Sequence, residues 1–237
     1  MKDFDLTYRQ FGTAILIEWP QIVNEAVLQD ILAFEKMILE SDLPDMVETV
    51  PAFASLTVFF DHLKEAGKVI SALKEIYPQR INRVMAKNTW NIPVCYGQGF
   101  GEDIHLVASR NGISHQQVID GHCQVVYKVH FIGFLPGFLY LGGLPVHLHC
   151  PRKQTPGLVT KKGSVGIGGA QTGIYPIDSP GGWNIIGNTP ISLFNAQQDP
   201  PCFVKPGDQV RFHPITPAEH SQISSDIKSG QYNIAAE

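Results

Sequence analysis

The stretch Val129–Cys150 reads VHFIGFLPGFLYLGGLPVHLHC, carries no Asp, Glu, Lys or Arg, and is long enough to cross a bilayer. Pro136 and Pro145 interrupt it, and four glycines and three histidines dilute its apolar character. An interrupted helix would leave backbone amides without hydrogen-bond partners in lipid. The stretch therefore predicts buried strands joined by a loop, and no transmembrane helix.

Glycine is concentrated around this stretch. Of the 22 glycines, 18 lie between Gly97 and Gly187, where short β-rich segments alternate with Gly and Pro residues, a pattern that favours a closed or nearly closed β-barrel. The first half instead gives strand and helix signals in the order β-α-β-β-α, beginning with a strand at Phe11–Glu18. This order suits a small ferredoxin-like α+β unit once a further strand is added. We therefore predict an α+β domain over residues 1–85, a mainly-β barrel domain over residues 86–237, and a partly loose tail after Pro217.

The charge pattern excludes several functional classes. The formal net charge is −4 and the pI is about 6.1, so the chain has no basic field for nucleic acid. The segment Met1–Asp5 has acidic residues where a signal peptide needs a basic and then an apolar region. The four cysteines are far apart and form no CxxC pair, which is typical of reduced thiols. We expect a cytoplasmic protein.

The glycine-rich loop Gly163–Gly169, GSVGIGG, matches neither GxxxxGK[ST] nor GxGxxG, and residue 162 is lysine where a GxSxG nucleophile elbow around Ser164 needs glycine. Between Val129 and Gln198 the only acid is Asp178, which rules out a two-carboxylate hydrolase site in this range. The bases in the same range are Arg152, Lys153, Lys161 and Lys162. Their excess favours binding of a carboxylate or a phosphate, although the two adjacent lysines also fit a solvated turn.

Histidines give two further candidates. The cluster His147-Leu148-His149-Cys150 looks like a metal site, but on a strand the cysteine would point away from both histidines. No second set of ligands at zinc spacing appears, so we predict no metal. His122 ends a predicted helix and is either a core residue or a proton carrier at neutral pH.

Aromatic residues interleave with turn residues at two places. They are Phe131, Phe134, Phe138 and Tyr140 around Pro136-Gly137, and Trp183 after the turn Ser179–Gly182. Proline cannot donate to a strand ladder, so it breaks pairing in the middle of an apolar run. The rings are either barrel core or the rim of a small-molecule pocket, and the amount of backbone freedom favours the pocket.

Taken in order, these motifs resemble the allophanate hydrolase subunit 1 family. The resemblance covers nearly the whole chain and is carried by Pro51–Leu56, Ile92–Gly97, His122, Tyr127, Gly133–Gly143, Pro151-Arg152, Gly163–Val165, Gln171–Pro176, Ser179–Trp183 and Gly207-Asp208. The family includes Kip-type inhibitors of a sporulation kinase and components of bacterial ATP-dependent 5-oxoprolinases. The resemblance implies a small α+β domain followed by a cyclophilin-like β-barrel.

The resemblance also implies an activity. It predicts an enzyme component, inactive alone, that uses ATP to open 5-oxo-L-proline to L-glutamate. Phosphorylation of the lactam makes the amide carbon a better electrophile, and hydrolysis follows. Because the chain has no nucleotide motif, the ATP site is expected to be shared with partners of the allophanate hydrolase subunit 2 type and the LamB/YcsF type.

The resemblance further assigns site residues. His122 is the expected catalytic hydrogen-bond donor or proton shuttle, and Arg152 is expected to hold an anionic group. The expected substrate-binding residues are Tyr127, Phe134, Pro136, Tyr140, Gln171, Tyr175, Pro180, Gly181, Gly182 and Trp183. The sequence departs from the family pattern where Gly157 and Asn188 replace arginines and where Lys161 and Lys162 have appeared.

Two other functions remain open at this point. The Kip-type likeness allows a regulatory protein that inhibits a sensor histidine kinase without turnover. A likeness to carboxyltransferase halves allows action on urea or a related amide, with biotin brought by a partner.

Overall fold

The computed structural model describes residues 4–22, 24–81, 87–97 and 99–236. The chain divides into two compact units, Met1–Ala86 and Lys87–Glu237, each with its own apolar core. The predicted domain boundary after residue 85 lies outside the described residues.

The first unit consists of an antiparallel sheet and two helices. Its elements are β1 (Thr7–Phe11), β2 (Ala14–Glu18), α1 (Glu25–Leu39), β3 (Met46–Pro51), β4 (Ser55–Phe60) and α2 (Ala66–Ile76), followed by the 3₁₀ turn Tyr77–Gln79. The strands pair in the order β1-β2-β4-β3.

Local sequence explains these elements. In β4, Leu56, Val58 and Phe60 are buried and alternate with half-buried residues, as expected for a strand with one face on a core. Helix α1 begins after Asn24, whose side chain accepts a hydrogen bond from the Val27 amide at 2.9 Å. The apolar side chains of both helices share one core with the inward residues of the sheet.

The α+β content of this unit agrees with the sequence-based prediction, but the ferredoxin-like connectivity is not confirmed. The predicted strand over Phe11–Glu18 is in fact part of a hairpin, because the chain turns at Gly12, where φ is +57°. The first arm, β1, takes the edge position beside β2. In the described part of this unit no strand follows α2. The additional strand is β1, which comes before the predicted β-α-β-β-α order and not after it.

A buried carboxylate connects distant parts of this unit. Asp30 of α1 is 1% exposed and accepts hydrogen bonds from Trp19 Nε1 at 2.8 Å, Tyr77 Oη at 2.7 Å and Arg80 Nε at 2.7 Å. The Arg80 guanidinium carbon also lies 3.5 Å from the centre of the Tyr77 ring. Burial, and then the hydrogen bond to Asp30, raise the pKa of Tyr77, so its hydroxyl remains a donor.

We expect the substitution Asp30→Ala to lower the free energy of unfolding by about 3–5 kcal/mol, because it leaves the buried Arg80 guanidinium without this carboxylate. Urea unfolding of the full chain measures the change. The exposed Asp42→Ala is the matched control, with an expected change of about 0.5 kcal/mol or less. A loss below about 1 kcal/mol for Asp30→Ala would contradict the assigned role of the network.

The second unit contains the barrel. Its elements are β5 (Thr89–Tyr96), α3 (Ile104–Asn111), α4 (His115–Cys123), β6 (Val126–Ile132), β7 (Leu139–Gly142), β8 (Gly157–Thr160), β9 (Ser164–Gly168), β10 (Gln171–Ile174), β11 (Ser179–Gly181), β12 (Asn184–Asn188), β13 (Gln209–Pro214) and α5 (Pro217–Lys228). Seven strands form a closed barrel in the order β10-β7-β6-β13-β5-β12-β9, and the pairing of β9 with β10 closes it. The predicted barrel is confirmed.

Two features of this unit position the candidate site. Strands β8 and β11 pair with each other as a separate two-stranded ribbon rather than joining the barrel. The stretch Val129–Cys150 supplies most of β6, the loop with Pro136, all of β7 and the 3₁₀ turn Val146–Leu148, as the sequence predicted. In the described ranges, no helix is both long and apolar enough to cross a membrane.

The tail after Pro217 is more ordered than predicted. Residues 217–228 form α5, which begins after Thr216. The Thr216 side chain and Glu219 cap each other's backbone amides in a capping box, and Pro217 occupies the first turn. The prediction of a loose tail was therefore wrong for this segment, because it weighed polarity and not the capping signal.

Candidate functional site

Eight of the predicted site residues line one cleft of about 340 Å³ beside the β8–β11 ribbon. They are Phe134, Tyr140, Arg152, Tyr175, Pro180, Gly181, Gly182 and Trp183. We call this space the aromatic cleft. Phe138, Lys153 and Pro156 complete its lining.

The rings of the aromatic cleft form a packed wall. Phe138 is 1% exposed and lies edge-to-face with Tyr175 at 4.9 Å and with Trp183 at 5.4 Å between ring centres. Tyr140 contacts Trp183 in the same way at 5.7 Å. Edge-to-face pairs of this kind are mutually stabilising and fix ring orientation. The wall is therefore suited to receive a flat, largely apolar ring.

Glycines make room for the indole of Trp183. A Cβ atom on Gly168 would lie 2.5 Å from Trp183 Cε2, and one on Gly173 would lie 2.9 Å from Cζ3. A Cβ on Gly166 would lie 3.2 Å from the Cβ of Trp183. The indole therefore rests directly on the backbone of β9 and β10, and the local excess of glycine has a steric cause.

Arg152 supplies charge at the edge of this wall. Its guanidinium carbon lies 5.5 Å from the Trp183 ring centre, within cation–π range. Among the described residues it forms no ion pair with a carboxylate. Burial raises the pKa of Tyr140, and the nearby Arg152 opposes that rise. The guanidinium is thus available to an anionic group of a ligand.

His122 lies elsewhere. It is fully buried in α4, with its ring stacked on Phe212 at 4.5 Å between centres. Its Nδ1 is 2.8 Å from Tyr96 Oη, and its Nε2 is 2.9 Å from Thr172 Oγ1. Tyr127, which is also fully buried, donates its hydroxyl to the His122 carbonyl at 2.9 Å.

The hydrogen bonds around His122 determine its tautomer. The Thr172 hydroxyl donates to the Gly166 carbonyl at 3.0 Å, so its oxygen accepts from His122 Nε2–H. Nδ1 is then unprotonated and accepts from Tyr96 Oη–H, which in turn accepts from the Cys123 thiol at 3.4 Å. Burial lowers the pKa of His122 to about 3, which agrees with a neutral ring.

Four predicted site residues therefore do not line the aromatic cleft. His122 and Tyr127 are core residues, and a fully buried imidazole with both nitrogens occupied has no path to a substrate. Pro136 is exposed on the loop before β7, and Gln171 is half-buried at the start of β10. The prediction that His122 transfers a proton at the site does not fit this geometry.

A second cleft of about 320 Å³ lies on the other side of Gly181, and we call it the polar cleft. Its lining includes Glu102, Lys153, Thr160, Lys161, Ser164 and Asn188. Lys153 and Gly181 line both clefts. Lys153 Nζ lies 2.6 Å from Asp103 Oδ2, an ion pair that spans a long sequence separation and that no local motif indicated.

The remaining candidates have structural surroundings. Lys161 Nζ lies 3.0 Å from Asp178 Oδ2 and both side chains are exposed, as expected for a solvated turn. His149 Nε2 lies 3.0 Å from the Leu144 carbonyl. Within the described ranges, no group of three or more His, Cys, Asp or Glu side chains is arranged to hold a metal ion.

Comparisons with known proteins identify relatives that match most of the chain. The family model described as carboxyltransferase domain, subdomain C and D, matches residues 6–204. The chain is 39% identical over 220 residues to the 5-oxoprolinase B subunit of Bacillus subtilis, a match that covers 88% of this chain and 92% of that protein. It is 40% identical over 203 residues to the 5-oxoprolinase B subunit of Escherichia coli O157:H7, with 85% and 92% covered.

A solved structure shows the same fold. The crystal structure of Kluyveromyces lactis urea amidolyase matches with a TM-score of 0.85 at 21% identity, over 100% of this chain and 16% of that chain. The family model and the 5-oxoprolinase relatives confirm the resemblance that the sequence motifs indicated, and this structure shows the fold.

We expect Gly168→Ala to destabilise the barrel unit by about 1–3 kcal/mol, because the new methyl group overlaps the indole of Trp183. Urea unfolding followed by tryptophan fluorescence measures the change. The matched control is Gly67→Ala in the exposed first half of α2, where a Cβ meets nothing within 4 Å. The control should be neutral or stabilising by up to about 1 kcal/mol. Equal effects of the two substitutions would contradict the steric argument.

We also expect His122 to stay neutral down to pH 5, with its proton on Nε2, because both ring nitrogens are committed and the ring is buried. In the unfolded chain a histidine binds a proton below about pH 6.5, whereas in the folded chain the pKa of His122 is about 3. The contribution of His122 to the free energy of unfolding is therefore fully present above about pH 6.5 and is lost as the pH falls toward 3. Nitrogen-15 NMR of labelled imidazole gives tautomer and titration directly, with free histidine as reference. Titration of this ring near pH 6 would refute the assignment.

Proposed function

This chain belongs to the family of the carboxyltransferase domain, subdomain C and D, and on that premise we propose that it is the B subunit of a 5-oxoprolinase. Its relatives with that name are 37–40% identical, and the matches cover 84–88% of the chain. The urea amidolyases that match are 31% identical and are matched over only 8–14% of their length. Neither inhibition of a kinase nor action on urea is favoured.

The observation that carries the proposal is the position of Arg152 at the edge of the aromatic cleft, 5.5 Å from Trp183. 5-Oxo-L-proline is a flat five-membered lactam that bears one carboxylate. The lactam ring would pack against Trp183 and the exposed Phe134, and the carboxylate would bind the guanidinium, which prefers planar oxyanions. A cleft of about 340 Å³ lies at the lower end of the usual range for small-ligand sites.

The chemistry we propose uses ATP in a site shared with other subunits. A lactam carbonyl is a poor electrophile, so transfer of the γ-phosphoryl group to the lactam oxygen, with release of ADP, activates the ring carbon. Water then adds to that carbon, the C–N bond breaks, and a second water releases phosphate and leaves glutamate. In this scheme the described side chains of the aromatic cleft bind and orient the substrate, and partner subunits complete the reaction.

The partners we propose are a subunit of the allophanate hydrolase subunit 2 type and one of the LamB/YcsF type, acting in the cytoplasm. The aromatic cleft holds two cations, Arg152 and Lys153, and no carboxylate among its lining residues in the described part of the chain. This charge pattern is consistent with a general base on another subunit.

His122 has a positioning role in this proposal. It donates to Thr172, whose hydroxyl donates to the Gly166 carbonyl and so links the two strands on which Trp183 rests; the imidazole fixes the direction of that hydroxyl. Its contribution to catalysis would be indirect, through the placement of the indole.

We expect Arg152→Ala to lower kcat/KM for 5-oxo-L-proline by about 10- to 100-fold in the reconstituted complex, because a charge-assisted hydrogen bond to the carboxylate is worth about 1.5–3 kcal/mol. The assay measures ATP-dependent glutamate release by the three subunits. Arg110→Ala, on the exposed side of α3, is the control and should leave the rate unchanged.

Different results would contradict the proposed function and the proposed site. A reconstituted complex that never releases glutamate from 5-oxo-L-proline would refute the function. A complex that works equally well with Arg152→Ala would refute only the assignment of the aromatic cleft.

A further inference from the structure

We propose that the polar cleft is a binding site for a phosphate group, carried by the nucleotide or released as inorganic phosphate, beside the aromatic cleft. The inference rests on the proposed function for the identity of the reaction, and on the geometry of the polar cleft for the chemistry of its ligand.

Two hydroxyls on buried residues of the polar cleft lack partners. Thr160 is 7% exposed and Ser164 is 4% exposed, and both line the cleft. In the described part of the chain, neither side-chain oxygen has a hydrogen-bond partner. Both oxygens are open to the cleft rather than fully buried, so they can donate to a ligand with acceptor atoms.

Two lysines of the polar cleft can donate hydrogen bonds to an oxyanion. Lys153 is held by Asp103, whose Oδ2 also accepts from the Ile185 amide at 2.7 Å, so the ammonium group is fixed in direction. Lys161 is 74% exposed, and its contact with the exposed Asp178 is exchangeable for a ligand. Glu102 also lines the cleft; it is exposed like Lys161, so solvent screens both of these charges. Two ammonium groups and two hydroxyl donors match a phosphoryl group, which presents three strong acceptor oxygens.

Gly181 is the partition between the two clefts. A Cβ atom at this position would lie 2.5 Å from Thr160 Oγ1 on the polar side and 2.7 Å from Tyr175 Oη on the aromatic side. The Lys153 amide donates to the Gly182 carbonyl at 2.7 Å, which holds the lysine segment against the ribbon. A phosphate group in the polar cleft would therefore be separated from the lactam by one glycine backbone, so it is a bound phosphate and not the group in contact with the lactam oxygen during transfer.

The test compares Ser164→Ala and Thr160→Val with Ser225→Ala, an exposed serine on α5, in the reconstituted complex. We expect each cleft variant to raise the KM for ATP by about tenfold and to weaken competitive inhibition by inorganic phosphate to a similar degree. The KM for 5-oxo-L-proline should stay within about twofold of the parent value, which a general loss of structure would not produce. Lys161→Ala, at the exposed rim, is a further variant that does not threaten folding.

The source of the phosphoryl group is distinguished by titrating the full chain alone with inorganic phosphate and with a non-hydrolysable ATP analogue, by calorimetry. Binding of both that is weakened by Ser164→Ala supports the site, and tighter binding of the analogue identifies a nucleotide as the source. An active complex whose ATP KM is unchanged by all three cleft variants would overturn the inference and leave the proposed function intact. If the complex is inactive, the calorimetry still decides: absence of phosphate binding to the full chain overturns the inference.

Discussion

The close approach of the Trp183 indole to the backbone of β9 and β10 is the constraint on which the rest of the barrel unit depends. Gly166 and Gly173 are directly paired across these strands, and Gly168 lies two residues further along β9, on the same face as Gly166. Since the β9–β10 pairing closes the barrel, the residues that leave room for the ring are also the residues that complete the fold. A side chain larger than glycine at these positions would therefore disturb both the ring and the strand pairing.

The same strand pair is held from its opposite face by a polar chain. Thr172 and Gly173 are consecutive on β10, so their side-chain directions oppose each other. Thr172 faces the buried imidazole of His122, while Gly173 faces the indole. A fully satisfied, neutral hydrogen-bond chain is stiff without requiring a buried charge, which suits a support for a binding wall.

Much of this was readable from the sequence, and the failures have specific causes. The barrel was predicted from the glycine distribution, Pro136 and the turn before Trp183. With the family motifs, the same features predicted eight residues of the aromatic cleft. These predictions succeeded because close packing requires glycine and interrupted strand pairing involves proline, and both residues are visible in the sequence. His122 was assigned to the site from the family resemblance. Its burial could not be predicted, because burial depends on tertiary packing and a single histidine in a sequence carries no information about it. Lys153 and its partner Asp103 were not recognised as a pair, since nothing local links them. The edge strand β1 was missed, because its sequence TYRQF is mostly polar and exposed and gives no apolar alternation.

The thin partition at Gly181 limits how this protein can diversify. Any side chain there would enter both cavities at once, so no substitution at this position can reshape one and spare the other. Residues that line only the aromatic cleft, such as Phe134 on its loop and Pro156 beside the ribbon, can change without altering the polar cleft. The two cavities can therefore be altered independently at such positions but not at the glycine between them.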